Sequence, residues 1–249
     1  MQISVITLFP NMITSFINES IVKRAVDRKI VSINLVNLRQ FAADSYGTVD
    51  DRPYGGGTGM VMKVDVLAKA VRSVPTGRVV YTTPRGKKFD QNAARRYSAL
   101  DNLILLAGHY EGIDERTSTF INEEVSVGDF IMTGGEIAVA AIVDATVRLL
   151  PGVLKKEDAT IGETFGEIEA DEIRAIVGND PILEVLIKSG RKKIQLLEYP
   201  QYTRPADFEG QSVPEVMTSG DPKKIREWQI RESWELTKKR RPDLLGIPL

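Results

Sequence analysis

Ser126–Glu136 reads SVGDFIMTGGE, and the organisation of the chain is worked out from this stretch. Its apolar run, Phe130-Ile131-Met132, has strand character and stops at Thr133-Gly134-Gly135. An almost wholly apolar segment follows, Ile137 to Leu150. Glycines at a strand end leave main-chain N–H and C=O groups accessible, so a flat ligand can approach the backbone. Leu103-Ile104-Leu105-Leu106 runs in the same way into Gly108-His109-Tyr110-Glu111-Gly112. Two strand-end loops of one kind suggest a ligand site built from main chain rather than from ion pairs.

Working outward, Ile3–Phe9 reads as a buried strand, and Pro10-Asn11 opens a helix with apolar residues at helical spacing through Ala25. Strands are expected at Ser32–Leu38, Arg78–Thr83 and Asn102–Ala107, with helices at Asp65–Arg72, Gln91–Ser98, Ile113–Glu123 and Glu136–Leu150. Strands alternating with helices argue for an α/β domain with a mostly parallel sheet. In the segment 136–150 only Asp144, Thr146 and Arg148 break the apolar surface. Such a helix is expected in a core or against a second subunit, and a twofold dimer interface is the favoured reading.

The chain then changes character. Residues 155–193 carry an acidic front half (Glu157, Asp158, Glu163, Glu167, Glu169, Asp171, Glu172) and a basic end, Arg191-Lys192-Lys193. Two short helices divided at Gly178-Asn179-Asp180-Pro181 fit this stretch, which reads as a connector. Three parts are therefore expected: an α/β domain over 1–154, an extended linker over 155–195, and a helical domain over 196–249. In the last part, Asp221-Pro222 is a helix start, with Ile225, Trp228 and Trp234 facing inward.

Composition excludes several classes. The chain has 249 residues, formal net charge −1, no cysteine and one histidine, which rules out disulfide frameworks and Cys/His zinc sites. The start, MQISVITLFP, lacks the features of a signal peptide, and the apolar run Ile137–Val143 is too short to span a bilayer. A cytoplasmic protein with no membrane partner is the expectation. Any nucleic-acid surface must be local. Pro222–Arg241 holds eight Lys/Arg against three acids, a weak pointer to phosphate contacts that competes with simple complementation of a helix C-terminus.

Val49–Met60, VDDRPYGGGTGM, is the most glycine-dense stretch. No Gly-Lys-Ser/Thr follows, and Met62 stands where a dinucleotide fingerprint needs its last glycine, so it is either a plain surface loop or a lid. In GHYEGIDER, His109 reads as a structural histidine. Glu111 could hold a ligand hydroxyl, an ammonium or a hydrated Mg²⁺, whereas Asp114 and Glu115 equally suit a helix's first turn. LLEYPQYTRP, residues 196–205, sets Glu198 among apolar residues, where burial would fit a carboxylate for general-base work; a solvated loop glutamate is the plain alternative.

Taken together, LFP (8–10), VDDRPYGGGTGM, GHYEGIDER, SVGDFIMTGGE, PGVL (151–154), LLEYPQYTRP, SGDPKKIREWQ and RRPDLL resemble, in order and over nearly the whole chain, the bacterial tRNA (guanine-N1)-methyltransferase family of the SPOUT superfamily. The resemblance implies a trefoil knot in the α/β domain and an obligate homodimer with each active site at the subunit interface. It also implies methyl transfer from S-adenosylmethionine to N1 of guanine 37, beside the tRNA anticodon. Carried over by motif, the donor site takes Tyr81, Thr82 and Pro84; then Gly108, Tyr110, Glu111 and Gly112; then Val127, Gly128, Asp129, Phe130, Ile131, Met132, Gly134 and Gly135. Glu198 stands where the family more often has aspartate, and is expected as the base at N1–H. Arg204, Mg²⁺ or a backbone N–H would stabilise charge at O6. No protein metal site is expected. The linker and the basic C-terminal helix would grip the anticodon stem-loop. The stretch from Phe165 to Leu196 is longer than the usual family linker, so no residue within it is carried over. Two alternatives remain in view: a SPOUT-type enzyme acting on another RNA position, and a non-catalytic RNA-binding protein.

Overall fold

The computed structural model describes residues 1–155 and 162–247; Glu157 and Asp158 of the acidic stretch lie outside them. Contacts divide the chain into two units, Met1–Glu157 and Asp158–Leu249, each with its own core.

The first unit is a mostly parallel α/β domain, as expected. Its elements are β1 (Gln2–Thr7), α1 (Pro10–Ile17), α2 (Ser20–Asp27), β2 (Ser32–Asn37), the short pair β3 (Asp50–Asp51) and β4 (Val61–Met62), α3 (Val64–Arg72), β5 (Arg78–Lys88), α4 (Gln91–Ser98), β6 (Asn102–Ala107), β7 (Glu123–Ser126) and α5 (Glu136–Val147). Five strands form one sheet in the order β2-β1-β6-β5-β7, every pairing parallel. Both faces are covered, which is why these strands read as apolar runs rather than alternating ones. Ile3, Val5, Leu103 and Leu105 pack with residues of α1, α2, α4 and α5, and Ile6, Ile104 and Leu106 pack with Val66, Leu67 and Ala70 of α3.

Five local expectations are corrected. The helix expected from Pro10 to Ala25 is two, parted at Asn18-Glu19. No helix spans 113–123: Glu115–Thr119 is a 3₁₀ turn, stabilised when Asp114 accepts the Arg116 amide, and Glu123–Ser126 is the edge strand. Phe130–Met132 is loop rather than strand, because the pairing edge of β5 is already taken by 123–126. β5 runs past Thr83 to Lys88, with a register irregularity between Thr82 and Lys87. Helix α5 is likewise not buried all round. Ala138, Val139, Ile142, Val143, Thr146 and Val147 face inward, whereas Ile137, Ala141 and Asp144 form an exposed stripe.

The second unit contains β8 (Gly166–Glu169), α6 (Ala170–Val177), α7 (Pro181–Lys188), β9 (Lys193–Leu196), the short hairpin β10 (Asp207–Phe208) and β11 (Gln211–Ser212), α8 (Glu215–Thr218) and α9 (Pro222–Arg240). β8 and β9 pair antiparallel, Gly166 opposite Leu196. The segment read as a connector is therefore structural. Ile168, Ala170, Ile173, Leu183, Leu186, Ile194 and Leu196 supply seven of the ten buried core residues of this cluster, joined by Ile230, Trp234 and Leu245. The two short helices expected on either side of Gly178–Pro181 are present as α6 and α7. Their apolar residues face an interior shared with α9. On α9 the inward face is Ile230, Ser233, Trp234 and Thr237, while Ile225 and Trp228 are half-buried.

Asp180 ties this segment to α9. It caps α7 through the amides of Ile182 and Leu183, and its other oxygen accepts from Trp234 Nε1 at 3.2 Å and Lys238 Nζ at 2.9 Å. Burial pushes its pKa up, but the bonds from Lys238, Trp234 and the two amides outweigh that and hold the carboxyl below its ordinary value. Arg226 pairs with Glu172 and Arg241 with Asp243, so part of the cationic excess of 222–241 is used internally. Lys239 and Arg240 remain exposed.

Candidate functional site

The middle of β5 and the segments that follow β6 and β7 enclose a cavity of about 240 Å³. From β5 come Tyr81, Thr82, Thr83 and Pro84. After β6 come Gly108, His109, Tyr110, Glu111 and Gly112. After β7 come Val127 and Phe130 to Gly135, with Ala138 from α5 closing the wall. Of the residues expected to bind the donor, all but two line this cavity. Gly128 is occupied by its own turn, where Ser126 Oγ donates to its carbonyl at 2.9 Å, and Asp129 turns outward to pair with Lys88 at 2.9 Å. Thr83, His109, Val125, Ser126, Thr133 and Ala138 also line it, although the sequence reading did not assign them there. His109, Ser126 and Thr133 lie inside the quoted motifs and the other three close beside assigned residues, and strand alternation alone does not say which of them faces the cavity.

The two glycine loops are not simply bare main chain. Gly135 N donates to Gly108 O at 2.8 Å, and His109 pairs with Gly134 in an antiparallel bridge. A Cβ on Gly134 would strike the His109 ring, and one on Gly135 would strike Thr82 Oγ1 and come within 2.8 Å of Gly108 N. These glycines therefore let two loops interlock, and the cavity lies beside that seam.

Behind the seam sits a polar triad within a buried setting. His109 Nε2 lies 2.6 Å from Glu136 Oε2, and Thr7 Oγ1 donates to Glu136 Oε1 at 2.6 Å. Glu136 is 1% exposed, so both its oxygens are satisfied by protein partners, as burial demands. Glu136 opens α5, where a carboxylate also complements the helix dipole. His109 therefore keeps the structural role read from sequence while also lining the cavity. No sequence pattern connects Thr7 or Glu136 to it; they lie 129 residues apart.

A third loop braces the second. Glu111 N donates to Met60 O, Met62 N to Gly112 O and Asp114 N to Met62 O, each at 3.0 Å. The end of the glycine-dense stretch is thus stitched onto GHYEG. Tyr110, at φ +60°, is held in the left-handed region between these bonds. The Tyr81 phenol is buried against the cavity, and burial raises its pKa. What remains is a slot walled in part by apolar side chains and in part by hydroxyl, carboxylate and main-chain polar groups.

Glu198 and Arg204 belong to the second unit. Glu198 is half-buried and Arg204 exposed. Among the described residues no group of three or more His, Asp or Glu side chains could hold a metal, and no helix is long and apolar enough to cross a membrane.

A parallel α/β sheet with a slot among the loops that follow its strands defines an α/β protein with an opening where open sheets of this kind commonly hold a ligand. Residues 1–246 match the family model described as tRNA (Guanine-1)-methyltransferase TrmD, and the chain belongs to that family. It is 45% identical over 247 residues to a tRNA (guanine-N(1)-)-methyltransferase of Clostridium botulinum (strain Eklund 17B / Type B), covering 98% of this chain and 92% of that protein. It is 42% identical to the enzyme of that name in Geobacter sulfurreducens, covering 98% and 91%. For the one in Endomicrobium trichonymphae the identity is 37%, covering 98% and 99%.

Proposed function

We propose that this chain transfers the methyl group of S-adenosylmethionine to N1 of guanine 37 in tRNA. The observation that carries the reading is the cavity at 81–84, 108–112 and 127–135, in a chain whose family membership spans residues 1–246. The slot fits the donor: apolar side chains from Val127, Phe130, Ile131, Met132 and Ala138 face loop main chain and the Thr82 and Thr83 hydroxyls. When bound, S-adenosylmethionine supplies an electrophilic methyl on a positively charged sulfur.

N1 of guanine carries a proton, and the nitrogen is a poor nucleophile while it keeps it. Glu198 accepts that proton: the N1–H bond breaks, its electron pair stays on the ring, and an O–H bond forms on the carboxyl. General-base help of this kind is worth on the order of 10²–10⁴ in rate. Negative charge appearing at O6 is met by the Arg204 guanidinium. Among the described residues no cluster of carboxylates suits Mg²⁺, and no step is assigned to it. The base must leave its stack before reaction. Exposed Lys239 and Arg240 would meet backbone phosphate of the anticodon stem-loop.

The working form in this reading is a cytoplasmic homodimer of knotted α/β domains, with the base coming from the partner subunit's Glu198. Support comes from the apolar surface left uncovered beside the cavity. Ile131 is 82% exposed and Ile137 62%, and Phe9, Met12 and Phe130 are also exposed. Such patches mark interaction surfaces. The test is methylation of transcribed tRNA with guanine or adenine at position 37, alongside calorimetry with S-adenosylmethionine. Transfer restricted to guanine 37, with donor binding, is expected. Equal transfer to the adenine-37 transcript would point to another RNA position, and absent donor binding would point to a non-catalytic RNA-binding protein.

A further inference from the structure

We propose that Gln201 and Thr164 are positioning residues that hold the Glu198 carboxylate in one working orientation. The inference rests on the reading of Glu198 as the base. Gln201 Nε2 donates to Glu198 Oε1 at 2.5 Å. The main chain is fixed on the same segment: Glu198 N donates to Thr164 Oγ1 at 3.1 Å, and Leu197 N to Thr237 Oγ1 at 2.8 Å. Thr237 is fully buried and its hydroxyl in turn donates to Ser233 O at 2.6 Å, so its orientation is set by α9. Phe165 N to Leu196 O, at 2.8 Å, extends the β8–β9 ladder to the residue beside Thr164. Two hydroxyls therefore fix where the glutamate leaves the backbone, and one amide fixes where its carboxylate ends.

Glutamate has one more rotatable bond than aspartate, and an unclamped side chain would spread its carboxylate over several rotamers. Engaging Oε1 leaves Oε2 for the proton of N1–H. Two cations, Lys238 near the end of α9 and Arg241 just beyond it, have other partners. Lys238 bonds to Asp180 and Glu235, each at 2.9 Å, and Arg241 to Asp243. Among the described residues Gln201 is the side chain that donates to this carboxylate. Its own side chain is exposed, so replacing it leaves the core intact.

The experiment uses the full-length protein with tRNA and S-adenosylmethionine at saturation. Gln201→Leu is expected to lower kcat about tenfold, the size of one charge-assisted hydrogen bond. KM for tRNA and Kd for the donor should stay within about twofold. Thr164→Val is expected to lower kcat similarly, and Thr164→Ser to restore it. Unchanged kcat in Gln201→Leu, with Thr164→Val also unchanged, would overturn the inference. Glu198→Gln separates this from the parent reading: if it retains near-normal turnover, the base assignment itself falls. If it is inactive while the other variants are normal, only the positioning role falls.

Discussion

His109 Nε2 and Glu136 Oε2 lie 2.6 Å apart, joining the loop after β6 to the first residue of α5 directly behind the cavity. With Thr7 on the other oxygen, Glu136 links three elements of the first unit. Glu136→Ala would leave the Thr7 hydroxyl and the imidazole in a buried setting without this partner. A loss of about 3 kcal/mol in unfolding free energy is expected. Because the same carboxylate secures the interlocked loops, donor affinity should fall more than about tenfold. Urea denaturation and calorimetry with S-adenosylmethionine check the two effects separately.

Gly135→Ala tests the seam from the other side. Its Cβ would collide with Thr82 Oγ1 and the Gly108 amide, so the loops must part and the slot must change shape. Overpacking of this kind costs roughly 1–3 kcal/mol. The variant should remain folded by far-UV circular dichroism and lose donor binding. Retained binding would mean that the slot beside this seam is not the donor site.

Ile137→Lys addresses assembly. The residue lies on the uncovered stripe of α5, so its replacement should leave the first unit's core unchanged. Light scattering is expected to move from a dimeric to a monomeric mass, with methyl transfer lost in parallel. Mixing Glu198→Gln with Gly135→Ala subunits then provides a complementation assay. Each variant alone should be inactive, and the mixture should recover activity if base and donor slot come from different subunits.

The Asp180 carboxyl predicts an acid response of the second unit. Its folded pKa lies below its ordinary value of 3.8, so its contribution to stability is complete above that value. That contribution is lost as pH falls below 3.8 and through the folded pKa. Asp180→Asn should therefore flatten the stability–pH curve below about pH 4, at the expense of lower stability at neutral pH. Thermal unfolding followed from pH 2.5 to 7 makes the comparison.

Much of the architecture could be read from residue order alone, for reasons that can be named. β1 and β6 are buried on both faces, so QISVIT and NLILLA stood out as apolar runs between helical patterns. The cavity loops were legible because glycine clusters followed such runs. Phe130–Met132 misled because apolar residues serving a ligand slot or a partner look like strand. Glu123–Ser126, with its two glutamates, pairs as the edge strand, and both glutamates meet cations there: Glu123 with Arg78 and Arg96, Glu124 with Arg85. The Thr7–Glu136–His109 set was invisible because its members are brought together only by the parallel topology. Segment 155–195 reads as a connector because its acidic residues dominate the sequence pattern, and only the packing of 166–196 with α9 reveals which residues turn inward.

Since residues 166–196 provide most of the hydrophobic interior on which α9 rests, a fragment beginning at Leu197 would keep the acid and most of the cations yet have little to fold around. Any attempt to shorten this enzyme by removing 166–196 would thus melt the core that carries the segment of Glu198, the proposed base. Loss of turnover after such a deletion would then reflect collapse of a scaffold, not removal of a tether.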